Sequence, residues 1–340
     1  MKAALLAGRR RFEIADVDAP EPAPGEALVR VRSVGVCGSD LHFYRGEFPL
    51  PAGFCLGHEV SGEVEALGDG VNGFAKGDRV ALELFTVCRS CAQCRSGNYH
   101  LCRSRKSNGI DMPGGLREYM TVPAYDLYKL PEAVDAELGS LVEPLAVNVH
   151  GLKLAGMQFG ERVGVLGAGT IGLMAIAAAR AMGAAHISVS ARYPHQRVMA
   201  NALGADAIFD ANAAGAQQMA KSAGGADIVV ETVGGSADTL AQALPLVAPR
   251  GRVCMLGVFT APVQLHPLLL TLREATIVGS NCYNRTGAQS DYEIAIEIMR
   301  REGESLRSII THRFPLASVA EAYETADDKK SGAIKVMVAP

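Results

Sequence analysis

The sequence predicts an α/β chain in which a β-rich, barrel-like domain is interrupted by a doubly wound parallel sheet. Two changes of texture carry that expectation. The first half consists of short β-branched runs, such as Ala27–Val34, Val60–Ala66 and Arg79–Leu82. Glycine and proline break them at 20–25, 68–73 and 76–78, as in a domain of short strands and loops. Past residue 140, apolar strands alternate with alanine-rich helical stretches. Arg162–Leu166, Ile171–Met182, His186–Ser190 and Gln196–Leu203 open the series, and Asp227–Glu231, Ala237–Val247 and Arg252–Leu256 continue it. This is the strand–helix–strand rhythm of a parallel sheet. Beyond about residue 280 the pattern shifts to an amphipathic helix near Tyr292–Arg301 and a final strand at Ala333–Val338. The expected boundaries are 1–145 and 283–340 for the first domain and 146–282 for the sheet.

Composition bounds the function. The 340 residues are 49% hydrophobic and 20% charged, with a net charge of −3. Nothing there attracts nucleic acid or an anionic membrane. No apolar run reaches the roughly 20 residues needed to span a bilayer. Met1–Leu6 soon meets Arg9, Arg10 and Arg11, so it reads as a first strand rather than a signal peptide. A cytoplasmic protein is expected, and eight cysteines in that compartment point to metal rather than disulfides.

Gly167-Ala168-Gly169-Thr170-Ile171-Gly172 follows the strand Val163–Leu166 and opens a helix. The first glycine permits a tight turn and the second lets the backbone approach a pyrophosphate. The third lets helix pack on strand, as in a Rossmann dinucleotide site. An NAD site usually carries a carboxylate about 20 residues further on, to hold the ribose 2′-hydroxyl. Here the second strand ends Ser190-Ala191-Arg192, with Arg197 following. Arg192 and Arg197 would pair with a 2′-phosphate, and Ser190 would add a hydrogen bond. NADP(H) is therefore the expected cofactor, with NAD(H) the alternative.

Cys88, Cys91, Cys94 and Cys102 have the spacing C-x2-C-x2-C-x7-C, enough to close a tetrahedral structural zinc site in a lobe at about 86–104. A second group has an open shell. Cys37 lies in Gly35-Val-Cys-Gly-Ser-Asp40, His58 in Gly57-His-Glu59, and Glu143 in Glu143-Pro144. A thiolate, an imidazole and a carboxylate leave one zinc position for substrate.

Together, in this order, these motifs resemble the zinc-containing medium-chain alcohol dehydrogenase family, and its sorbitol (polyol) dehydrogenase branch in particular, over essentially the whole chain. The resemblance implies a GroES-like catalytic domain around the Rossmann domain, two zinc ions per chain, and a homo-oligomer, tetramer before dimer. It implies that Cys37 and His58 bind the catalytic zinc with Glu59 or Glu143. In the polyol branch the former typically ligates and the latter holds the water. It also implies that Ser39 and His42 relay the proton released when an alcohol is oxidised. The implied substrate is a small alcohol or ketone: first a polyol, sugar alcohol or sugar acid, then a simple secondary alcohol, a diol or a threonine-like amino alcohol. Polyol dehydrogenases commonly place an arginine before a tyrosine after the last Rossmann strand, and here Cys282 precedes Tyr283. Arg285 and Asn281 are the candidates to compensate, and Phe43 and Tyr44 the candidates to line the pocket. A zinc-independent quinone or enoyl reductase and a non-enzymatic nucleotide-binding protein are the rival readings.

Overall fold

The computed structural model describes residues 1–340, the side chain of Ala223 aside. The chain forms two compact units, Met1–Glu143 with Asn284–Pro340, and Pro144–Tyr283.

The first unit is built on a seven-stranded mixed sheet. The strands run in the order Ile310–Pro315, Lys335–Ala339, Glu26–Gly35, Glu59–Leu67, Arg79–Leu82 and Leu127–Lys129, with Tyr119–Pro123 also paired to Glu26–Gly35. Alternation puts Ala27, Val29 and Val31 into a core with Val64, Val80, Leu82 and Met120. The expected first strand is present as Lys2–Gly8, paired with Arg11–Asp16. Glu59 lies opposite Gly35, and Gly35 also lies opposite Met337. Glu26–Gly35 is thus the central strand of a three-strand register that positions the site described below.

The helix expected at Tyr292–Arg301 extends over Asp291–Arg307. Its start is a capping box: Ser290 Oγ accepts from the Glu293 amide at 3.1 Å while the Glu293 carboxylate accepts from the Ser290 amide at 2.7 Å. Tyr292, Ala295, Ile298, Met299 and Leu306 form its buried stripe. The end was hidden by the polar run after Met299. Gly303 lets the helix come close to Leu138, since a Cβ there would lie 2.9 Å from Leu138 Cδ1.

The second unit is a six-stranded, all-parallel sheet. Numbered by chain position its strands are ordered 3-2-1-4-5-6, the Rossmann arrangement. The order reverses between Arg162–Leu166 and Ala226–Glu231, so the crevice for a ligand opens beyond Leu166 and Glu231. Helices Thr170–Ala181, Pro194–Ala202, Ala213–Lys221, Thr239–Leu246 and Pro267–Arg273 make the crossovers. The α/β class expected from the sequence is the one observed. No helix is long and apolar enough to cross a membrane.

Tyr292 is fully buried and its hydroxyl donates to the Leu82 carbonyl at 2.6 Å. Tyr292→Phe is expected to lower the unfolding free energy by about 1–3 kcal/mol, because it strands a buried carbonyl. Denaturant titration measures the loss.

Candidate active site

Cys37 immediately precedes the short helix Gly38–Tyr44, whose Asp40 carboxylate accepts from the Cys37 amide at 3.0 Å. The other Asp40 oxygen lies 3.2 Å from His58 Nδ1, and Ser39 Oγ lies 3.4 Å from His58 Nε2. Asp40 is fully buried and His58 nearly so. Burial opposes the charged imidazole, but Asp40 and Cys37 more than reverse that effect and raise the His58 pKa well above its ordinary value. Ligand atoms of Cys37, His58 and Glu59 all lie within 4.8 Å of one another. That donor set suits zinc.

Glu59 reaches this cluster because of a glycine. A Cβ at Gly35 would stand 1.9 Å from Glu59 Oε2. Over that bare strand the carboxylate meets Lys335 of the far strand, whose Nζ donates to the two Glu59 oxygens at 2.6 and 2.7 Å and to the Val36 carbonyl at 3.1 Å. Burial alone would drive Lys335 to lose its proton; Glu59 and Cys37 hold its pKa above the ordinary value instead. Glu143 lies in the first turn of helix Val142–Leu154 and is 4% exposed. Burial, reinforced by Glu59, pushes its pKa up to about 7 against the pull of His58 and Lys335.

The four-cysteine lobe satisfies the same test. Two sulfurs on one tetrahedral zinc stand about 3.8 Å apart. Here Cys91 and Cys94 are 3.5 Å apart, Cys88 and Cys102 3.5 Å, and Cys88 and Cys94 3.9 Å. All four ligand atoms lie within 4.8 Å of one another. Amide groups of Ser90 and Cys91 help lower the Cys88 thiol to about 6.

In the second unit, Gly167 turns with φ +97°. Gly169 caps helix Thr170–Ala181, and a Cβ there would meet nothing within 4 Å, which leaves room for a pyrophosphate. A Cβ at Gly172 would lie 1.9 Å from the Gly167 carbonyl oxygen. Ala168 and Gly172 are buried, while Thr170 and Ile171 form the helix's first turn at the surface of the cradle.

Residues 23–132 match the alcohol dehydrogenase GroES-like domain and residues 170–301 the zinc-binding dehydrogenase domain. Sorbitol dehydrogenase of Halalkalibacterium halodurans is 32% identical over 100% of this chain and 99% of its own. The chain belongs to the zinc-containing medium-chain alcohol dehydrogenase family. L-threonine 3-dehydrogenase of Pyrococcus horikoshii is 34% identical over 96% of this chain and 95% of its own. A solved structure from Sinorhizobium meliloti 1021 bound to NADP has a TM-score of 0.89 at 32% identity, covering 100% of this chain and 99% of that one. The protein is thus an alcohol or polyol dehydrogenase, and the zinc-independent and non-enzymatic readings are set aside.

Several residues of this dehydrogenase have partners that spacing does not reveal. His42 binds Glu47 through Nδ1 and stacks near Phe48, with ring centroids 4.9 Å apart. Tyr44 is a core residue between Phe12 and Tyr323, not a pocket wall. Arg285 forms an ion pair with Glu293 at 3.3 Å and lines a cavity of about 410 Å³ with Glu83, Arg89 and Tyr128, beside Cys94. Cys282 adopts φ +53°. Ser190 is buried and its oxygen accepts from the Gly167 amide at 3.1 Å, so it holds the fingerprint turn. Arg197 donates to Asp210 at 3.0 Å, and Asp210 lies opposite Ala191 on the neighbouring strand. That carboxylate was invisible in a reading of one strand end. Arg192 is exposed and in no ion pair among the described residues.

Gly35→Ala is expected to cost about 3 kcal/mol or more, because its methyl displaces a buried carboxylate from its ammonium. Gly38→Ala, whose Cβ meets nothing within 4 Å, is the near-neutral control. Denaturant midpoints of the two variants test the difference.

Proposed function

We propose that this dehydrogenase interconverts a polar secondary alcohol, foremost a polyol, sugar alcohol or sugar acid, and its ketone, with NADP(H) preferred over NAD(H). The observation that carries the reading is the group of half-buried Cys37 with buried His58 and Glu59, which offers three ligands and so leaves a position for an alcohol oxygen. Asp40 beside His58 Nδ1 leaves Nε2 for the metal, the usual carboxylate–histidine arrangement. Glu59 fits as the third ligand, and Glu143 stands buried beside it, able to hold a proton near neutral pH. Zinc on these residues would supply Lewis acidity that eases loss of the alcohol proton. The nicotinamide would accept the hydride.

The chain's own residues manage that proton and the cofactor's charge. Ser39 is adjacent to the ligands and takes the proton first. His42, oriented by Glu47, hands it on toward solvent. Arg192, unpaired at the end of the second Rossmann strand, meets the 2′-phosphate, while Arg197 neutralises Asp210, which would otherwise repel it. The NADP-bound relative supports that preference. Cys282 in the place of the branch's arginine favours a second substrate reading, a simple secondary alcohol, a diol or a threonine-like amino alcohol.

A screen of polyols, sugar acids, diols and threonine with both cofactors decides among these, and NAD outperforming NADP throughout would overturn the cofactor assignment. Arg192→Ala is expected to lower kcat/KM about 10–100-fold with NADP, the worth of a charge-assisted hydrogen bond, and to leave NAD kinetics nearly unchanged. His42→Gln should depress turnover more at neutral than at alkaline pH; an unchanged pH profile removes His42 from the relay. Metal analysis should find two zinc ions per chain, one of them lost in Cys37→Ser.

A further inference from the structure

Glu59 belongs to two clusters, a buried ion pair with Lys335 and a group of metal-ligand type with Cys37 and His58. Lys335 is 2% exposed at its side chain and spends its ammonium hydrogens on both Glu59 oxygens and the Val36 carbonyl. The same carboxylate belongs to the Cys37 and His58 ligand group. Asp40, at 0% exposure and 3.2 Å from His58, and Glu143, at 4%, are buried in the same cluster. We propose that Lys335 is a positioning residue that holds Glu59 in place of the metal in the zinc-free protein and shares it afterwards, thereby setting how tightly the catalytic zinc is held. The inference rests on the zinc site proposed above.

The argument is one of competing charges. A buried carboxylate without a cation is strongly unfavourable, so the Lys335 ammonium, at 2.6 and 2.7 Å from its two oxygens, holds the Glu59 side chain across Gly35. A zinc ion held there would share oxygens that already carry the ammonium's hydrogen bonds, so Glu59 would offer it less charge than a lone carboxylate, and the ammonium would repel it. Lys335 therefore stabilises the zinc-free state more than the zinc-bound state. By linkage, removing it must destabilise the zinc-free chain and tighten zinc. A lysine that merely holds strands together would stabilise both states alike.

The test compares wild type, Lys335→Met, Lys335→Gln and Lys335→Arg, each zinc-free and zinc-loaded, by thermal unfolding and by zinc competition against a chelator. Cobalt substitution reports on the Cys37 thiolate site by its visible spectrum. Lys335→Met is expected to lower the zinc-free Tm, to enlarge the rise in Tm that zinc causes, and to tighten the Cys37-dependent metal about tenfold or more. Lys335→Gln should shift both quantities the same way by less, which keeps the question answerable if the Met variant does not fold. Lys335→Arg should restore wild-type affinity to within about threefold. Equal loss of Tm in the zinc-free and zinc-loaded forms, or weaker zinc binding in both Met and Gln variants, overturns the proposal. Wild-type protein that holds one zinc per chain, unaffected by Cys37→Ser, overturns the zinc-site reading itself and is distinguishable from both.

Discussion

The first unit is organised around a buried ion pair that crosses a strand. Lys335 and Glu59 sit on strands that flank Glu26–Gly35 on opposite sides, and neither could reach the other over a side chain. Gly35 removes that obstacle at one register position. Because the pair is desolvated, its net contribution to stability is small compared with the penalty for separating it. Its value lies in specification. A slip of either outer strand by one residue would turn one charge to the wrong face and leave its partner buried alone. The same register that satisfies the pair sets Glu59 beside Cys37 and His58.

The dinucleotide cradle uses hydrogen bonds rather than an ion pair for the same purpose. Ser190 receives the Gly167 amide, and Thr232 Oγ donates to the Leu166 carbonyl at 2.8 Å, so the turn is held by the two strands that neighbour it. The buried Glu231 carboxylate accepts from the amides of Val233 and Gly234 and from the Thr239 hydroxyl, fixing the loop that closes over Gly167. With these bonds made inside the protein, the helix N-terminus at Gly169 remains open toward a phosphate.

Features encoded over short stretches of chain were readable in advance. The cysteine lobe, the glycine fingerprint, Cys37 and His58 each carry their chemistry in a few adjacent positions. The structure brings the four cysteines together, and Cys37 with His58 and Glu59. Long-range pairing was not legible. Lys335 is 276 residues from Glu59, and a lysine in a terminal strand reads as a solvated charge. Tyr44 follows Cys37 closely enough to look like a pocket residue, yet helix geometry turns it into the aromatic core with Phe12 and Tyr323. Arg197 looked available for phosphate because its partner Asp210 belongs to the next strand, a relation that only the sheet register supplies.

The chain order of the cluster formed by Cys37, His58, Glu59 and Lys335 has a consequence for biosynthesis. Cys37, His58 and Glu59 are made early, whereas Lys335 follows the entire Pro144–Tyr283 unit. At translation speeds of about 5–20 residues per second, the carboxylate waits roughly 14–55 seconds for its ammonium. The parallel sheet, continuous in sequence, has the opportunity to fold during that interval. The nascent chain thus carries a thiol, an imidazole and an uncompensated acid before the strand that shields them exists, and the centre is a late product of synthesis.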